Sequence, residues 1–235
     1  MTTTYQVPGF VTQRTGSPCQ FSLCWAAVGA WLARAATNDT VRLTPEEFAR
    51  KAGGGSGRPN ATTGCKTGFE RDLQKGLTNL GIDSDLMTIP YPDLVDRMSH
   101  ERRAVFAVAV DYELWPPDQD CMNGTAGPDV DHMVGIIPGT DGKGRVLTEN
   151  PLCGDYQRVS LAAISTAARK FGRDRGRPGV VVVRVLRPRL TGLPADKARI
   201  ADLEDLVDRQ ADYIAAARTL FQQGLELRVP STKGV

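Results

Sequence analysis

The chain has 235 residues, a formal net charge of +2, and 24% charged against 41% hydrophobic residues. That length suits one large domain, or one domain with an appendage, and it suffices for a core without covalent staples. The charge is too small for a nucleic-acid-binding surface, and no apolar run approaches the ~18 residues that span a bilayer. The start, Met1-Thr2-Thr3-Thr4-Tyr5, has neither the basic nor the apolar region of a secretory signal.

The first helix is expected from Cys24 to Ala36, where Trp25, Val28, Trp31, Leu32 and Ala35 form a wide apolar face. Thr44 as N-cap, Pro45 at the first helical position and Glu47 at the third predict a second helix ending near Ala52. The following Gly53-Gly54-Gly55-Ser56-Gly57 reads as a loop. It is no phosphate cradle, since it follows a helix and lacks the Gly-Lys-Ser/Thr ending. A third helix is expected from Phe69 to Leu80, closed by Gly81, and a short fourth from Pro92 to His100.

From there the periodicity becomes that of strands: 104–110, 132–137, 145–149, 156–160 and 179–186, with a helix over 160–171. A turn at Gly139-Thr140-Asp141-Gly142 joins the second and third of these, and a long polar loop precedes His132. Helices first and an antiparallel sheet later make the class α+β. Over 196–228, Ile200, Leu203, Val207, Gln210, Ile214, Ala217, Phe221 and Gly224 recur at three- and four-residue steps. This predicts a C-terminal helix. It either packs back on the domain or serves a homo-oligomer or assembly partner. Pro188 and Pro194 mark the boundary, which divides the chain into 1–190 and 191–235.

Five cysteines are an odd number. One arithmetic joins Cys19 to Cys65 and Cys121 to Cys153 and leaves one reactive thiol; the other leaves all five reduced as small apolar residues. Disulfides without a secretory signal would imply release by lysis or incorporation into a particle, and reduced thiols a cytoplasmic setting. No Cys-x-x-Cys spacing supports zinc, and no metal or cofactor is expected.

Cys24 lies at a helix N-terminus, where unpaired backbone N–H groups and the positive dipole end favour a thiolate. A thiol nucleophile needs an imidazole base, and the base needs a group that orients it. Only two histidines are present. His100 belongs to a charged helix end, Met98-Ser99-His100-Glu101-Arg102-Arg103, so His132 is the candidate base. Asn150 ends the return strand of the same hairpin, which sets both side chains on one rim. Glu149 would point to the opposite face. An oxyanion hole would draw on the Cys24 backbone N–H and on Gln20 or Gln13.

Cys19-Gln20-Phe21-Ser22-Leu23-Cys24-Trp25-Ala26-Ala27 resembles the nucleophile helix of papain-like cysteine peptidases. The His132 strand and Asn150-Pro151 resemble the later part of the bacteriocin-leader-processing branch of that family. The resemblance implies a papain-like fold, with the nucleophile helix packed on an antiparallel sheet, and peptide hydrolysis through Cys24, His132 and Asn150. It also implies a disulfide between Cys19 and Cys65. The family's glutamine stands six residues before its nucleophile; that position is Pro18 counted from Cys24 and Gln13 counted from Cys19, so Cys19 is the alternative nucleophile. Asn150 stands where the leader-processing branch has aspartate. Small peptidases of this kind in bacteriophage lysis proteins and tail tips suggest cell-wall peptide crosslinks as substrate. The alternatives are thiol transferase or deamidase chemistry on the same triad, and a structural or docking protein of a phage particle or other assembly on a peptidase-like fold.

Overall fold

The computed structural model describes residues 5–121 and 131–188, together with Gln210 and Ile214. The chain divides into two units, 3–191 and 192–235. The helix expected over 196–228 lies outside the described residues, apart from Gln210 and Ile214, which are helical and exposed.

In the first unit the elements run α1 (Cys24–Ala36), α2 (Pro45–Ala52), α3 (Glu70–Asn79), β1 (Asp85–Pro90), α4 (Leu94–His100), β2 (Ala104–Asp111), β3 (Asp131–Ile137), β4 (Arg145–Glu149), β5 (Gln157–Ser160), α5 (Leu161–Asp174) and β6 (Gly179–Leu186). The six strands form one sheet in the order β1-β6-β2-β3-β4-β5, and every neighbouring pair is antiparallel. The class is α+β with a papain-like arrangement, the N-terminal helix lying on the sheet.

Strand β2 shows why the central strands read as unbroken apolar runs. Val105, Ala107 and Ala109 face a core shared with α1, α2 and α3. Ala104, Phe106, Val108 and Val110 face a second core shared with α4 and α5. A strand covered on both faces has no reason to alternate with polar residues. The covering helix α5 makes the sheet the middle layer of this unit.

Helix α1 is buried on nearly all sides: Cys24 to Ala33 and Ala35 are all shielded from solvent. An apolar stripe alone would leave one face wet; here the small residues Ala26, Ala27, Gly29, Ala30 and Ala33 let neighbours close in all round. A Cβ on Gly29 would stand 2.2 Å from the Phe48 ring of α2. On the sheet side, a Cβ on Gly135 of β3 would stand 2.6 Å from the Trp31 indole. Helix α2 starts with the expected capping box: Glu47 N–H donates to Thr44 Oγ1 at 3.2 Å, and Thr44 N–H donates to Glu47 Oε2 at 2.8 Å.

The N-terminal segment is strapped across this core. Trp31 Nε1 donates to the Tyr156 hydroxyl at 2.6 Å, and that hydroxyl donates to the Pro8 carbonyl at 2.6 Å. Gly9 N–H donates to Asp39 Oδ1 at 2.9 Å, and Gln13 N–H to the Pro151 carbonyl at 2.9 Å. The segment thereby arrives beside the turn that follows β4.

Strand β1 has no counterpart among the expected elements. Asp85-Leu86-Met87-Thr88-Ile89-Pro90 is short, half exposed and closed by proline. It is an edge strand whose single partner, β6, lies far along the chain, with Asp85 opposite Arg184. Such a strand owes its order to tertiary pairing rather than to local preference.

Gly135→Ala should destabilise the protein by about 2 kcal/mol, because the added methyl must displace a fully buried indole. Thermal unfolding checks this, with Gly142→Ala as the control, since a Cβ there meets nothing within 4 Å.

Candidate active site

The local sequence leaves the N-terminus of α1 open. Leu23 occupies the N-cap and has no side-chain oxygen to cap the first turn. The backbone N–H groups of Cys24 and Trp25 therefore bear on the Cys24 thiol, and the N–H of Met133 reaches it from β3. The 3₁₀ turn Gln20–Ser22 leads into the helix, and a disulfide between Cys19 and Cys65, Cα atoms 5.5 Å apart, anchors that turn to the loop after α2. A second disulfide joins Cys121 to Cys153. Cys24 is the one free cysteine, and it is buried.

His132 lies next to Met133 at the start of β3, and its ring nitrogen Nε2 is 2.9 Å from Asn150 Oδ1. The hairpin supplies this contact. Gly135 pairs with Glu149, so Asn150, just past the strand, comes level with the His132 end of β3. Asn150 is wholly buried, and its Oδ1 also accepts the Leu152 N–H at 3.2 Å, an Asx turn that holds the amide. Its Nδ2 donates to the Tyr112 hydroxyl at 3.3 Å. The Tyr112 ring meets the His132 ring edge-on, centroids 4.9 Å apart.

Burial decides the charge state of the pair. It pushes the Cys24 thiol up to about 11, against the pull of the Met133, Trp25 and Cys24 N–H groups, and the nearby Asp131 charge adds to the rise. It pushes the His132 imidazole down to about 4, although the Asn150 bond draws it partly back. Burial thus favours the uncharged form of both thiol and imidazole in this arrangement. No hydrogen bond joins the sulfur to the ring; the thiol meets β3 at the Met133 N–H. Burial thus opposes the thiolate that the helix end favours. A helix terminus favours an anion by roughly 1 kcal/mol, whereas taking an ion out of water costs several.

Gln13 is 2% exposed and sits between the two halves of the site. Its backbone is tied to Pro151, directly after Asn150, and its Nε2 donates to the Gln20 carbonyl at 3.1 Å, in the turn leading to Cys24. Its Oε1 is buried without a partner. The Gln20 side chain serves the preceding loop instead, where its Oε1 accepts the Gly16 N–H at 3.3 Å. Glu149 is fully buried near Arg34 and Val11, and desolvation pushes its carboxyl well above the usual range. His100 contacts Asp96 at the exposed end of α4.

Tyr112 is not among the residues that the sequence singles out. The only trace of it in the chain is an apolar pair, Leu114-Trp115, inside a stretch otherwise polar. Trp115 stacks on Tyr112, centroids 5.9 Å apart. Among the described residues no cluster of three or more His, Cys, Asp or Glu side chains could hold a metal, and no helix is long and apolar enough to cross a membrane.

No protein-family model matches the chain, and no curated protein sequence matches it significantly. Solved structures do resemble it. A C39-like peptidase from Bacillus anthracis superposes with a TM-score of 0.51 at 15% identity, over 79% of this chain and 96% of that one. The peptidase domain of Streptococcus ComA, a bifunctional ABC transporter involved in quorum sensing, gives 0.45 at 13% identity, over 78% of this chain and all of that domain. At such identities the first likeness establishes the fold.

The depressed imidazole has a stability consequence. Between about pH 6.5 and about 4 the unfolded His132 takes up a proton that the folded one refuses, so stability falls as pH falls through that window. The loss amounts to about 3 kcal/mol for a shift of this size. Unfolding midpoints measured from pH 7 to 4 should drop less steeply in His132→Gln than in the parent protein. The raised thiol predicts that iodoacetamide labels Cys24 at pH 6–8 more slowly than it labels a free thiol.

Proposed function

We propose that the protein is a cysteine peptidase in which Cys24 attacks, His132 moves the proton and Asn150 orients the imidazole. The observation that carries the reading is the buried His132–Asn150 hydrogen bond beside the helix end that bears the free cysteine. The likeness of the fold to a C39-like peptidase supports it.

With Nε2 engaged by Asn150, the Nδ1 lone pair is the proton acceptor. A peptide carbonyl docks over the N-terminus of α1. As the sulfur bonds to the carbonyl carbon, the thiol proton passes to Nδ1. The carbonyl oxygen, now negative, takes hydrogen bonds from the Cys24 backbone N–H and the Gln13 amide, which is the better placed of the two glutamines because it borders both the α1 turn and the Asn150 turn. His132 then protonates the leaving amine and the C–N bond breaks, leaving a thioester on Cys24. Water, deprotonated by His132, attacks the thioester; the acid departs and the thiol is restored. A neutral resting pair suits this sequence, because the base needs no prior deprotonation above about pH 4.

The disulfide holding Cys19 supports Cys24 over Cys19 as nucleophile. Cell-wall crosslink peptides and a phage setting rest on family resemblance alone, so they enter the test as one class within a panel. The panel contains unstructured polypeptide, bacteriocin leader peptides and cell-wall crosslink peptides.

Cys24→Ala should abolish hydrolysis of the cleaved class without unfolding the protein, whereas Cys19→Ser should retain turnover. Gln13→Ala should lower kcat by about 100-fold, as loss of one oxyanion donor does. Absence of thiol-dependent hydrolysis across the whole panel would favour transferase, deamidase or docking roles. The acid limb of kcat/KM should lie near pH 4 rather than near the ordinary imidazole value.

A further inference from the structure

The two ends of the Asn150 amide are chemically different, and only one orientation makes His132 a base. Oδ1 toward Nε2 places the ring proton on Nε2 and leaves Nδ1 with its lone pair. A reversed amide would present N–H groups to Nε2, move the proton to Nδ1 and leave the thiol nothing to give its proton to. Two groups distinguish the ends. The Leu152 N–H selects an oxygen at 3.2 Å, and the Tyr112 hydroxyl accepts from Nδ2 at 3.3 Å.

We propose that Tyr112 is a positioning residue of this site: its hydroxyl fixes the Asn150 amide with Oδ1 toward His132 and thereby keeps the imidazole in the tautomer that can deprotonate Cys24. The inference deepens the peptidase reading and rests on it for its catalytic consequence.

The surroundings of Tyr112 give its hydroxyl one position. Tyr112 is 3% exposed, its ring edge-on to His132 and stacked on Trp115, whose Nε1 donates to the Gln119 carbonyl at 3.2 Å. The 3₁₀ turn Tyr112–Leu114 is capped by Asp111, which accepts the Glu113 N–H at 3.1 Å and pairs with Lys170 of α5. The Cys121 N–H bears on the Tyr112 hydroxyl. Cys121 is covalently joined to Cys153, and the Cys153 N–H donates to the Asn150 carbonyl at 2.9 Å. A closed circuit therefore runs from Tyr112 to Asn150, through the main chain to Cys153, across the disulfide to Cys121 and back. It resists any rotation that would swap the amide ends.

The test uses Tyr112→Phe, which keeps the ring and removes only the hydroxyl. Imidazole ¹⁵N NMR reads the tautomer directly; the chain has two histidines, and His100→Gln assigns the second. The parent protein should show His132 protonated at Nε2 at pH 7. Tyr112→Phe should show a mixed tautomer population, with kcat lowered by about 10-fold and KM unchanged, as expected for a buried amide left with an unpaired N–H. Repeating the change on Asn150→Asp supplies the control: a carboxylate has identical ends, so His132 should keep the Nε2–H tautomer with or without the hydroxyl. An unaltered tautomer in Tyr112→Phe, or an equal disturbance on both backgrounds, overturns the proposal. The expected tautomer changes in a protein with no thiol-dependent hydrolysis would sustain the positioning role and overturn the peptidase reading instead.

Discussion

Gly135 leaves β3 without a side chain where the Trp31 indole rests on it, and that contact sets how closely α1 approaches the sheet. The rest of the site follows from this approach. A helix held this close, and hemmed in by α2 through Gly29 and Phe48, delivers Cys24 to the end of β3 where His132 begins. The same indole, through Tyr156 and Pro8, holds down the N-terminal segment that carries Gln13 to the far side.

Close packing has an electrostatic cost that shapes the chemistry. Each charged form of the Cys24–His132 pair is disfavoured by desolvation, and the backbone N–H groups around the sulfur only partly offset this. A neutral asparagine in the proposed orienting position fits such a place. An aspartate would add a third buried ionisable group and favour imidazolium, whereas the amide fixes the tautomer without adding charge. In return the amide must be told which way to face, and the hydrogen bonds of Asn150 to Leu152 and Tyr112 do this. The two disulfides stand on either side, one behind the turn that leads to Cys24 and one behind the turn that follows Asn150.

Much of this was legible along the chain wherever the signal is local. The Thr44-Pro45-Glu46-Glu47 start of α2, the apolar face of α1 and the β-branched run of β6 each state their element within a few residues, and the elements form there. Candidate residues of the site were legible for a different reason. A Cys-Trp pair opening an apolar helix sets a thiol at a helix N-terminus, two histidines leave little choice of base, and a hairpin brings its two ends to one rim. Edge strand β1 was not legible, because its order comes from β6 nearly a hundred residues away. Nor was Tyr112, since a tyrosine after a strand says nothing about what its hydroxyl will meet.

By itself the sequence determined the order and type of most elements, the wide apolar face of helix α1 and the small set of candidate side chains for thiol, base and orienter. These depend on periodicity, capping and residue type, which act over a few neighbouring positions. Only the tertiary structure decided which cysteine stays free, which glutamine borders both turns of the site, that burial disfavours charge on both thiol and imidazole, and that the Asn150 amide meets the Tyr112 hydroxyl. Those are matters of desolvation and of contacts between residues far apart in the chain, and no local pattern encodes how deeply a group will be buried or what it will face there.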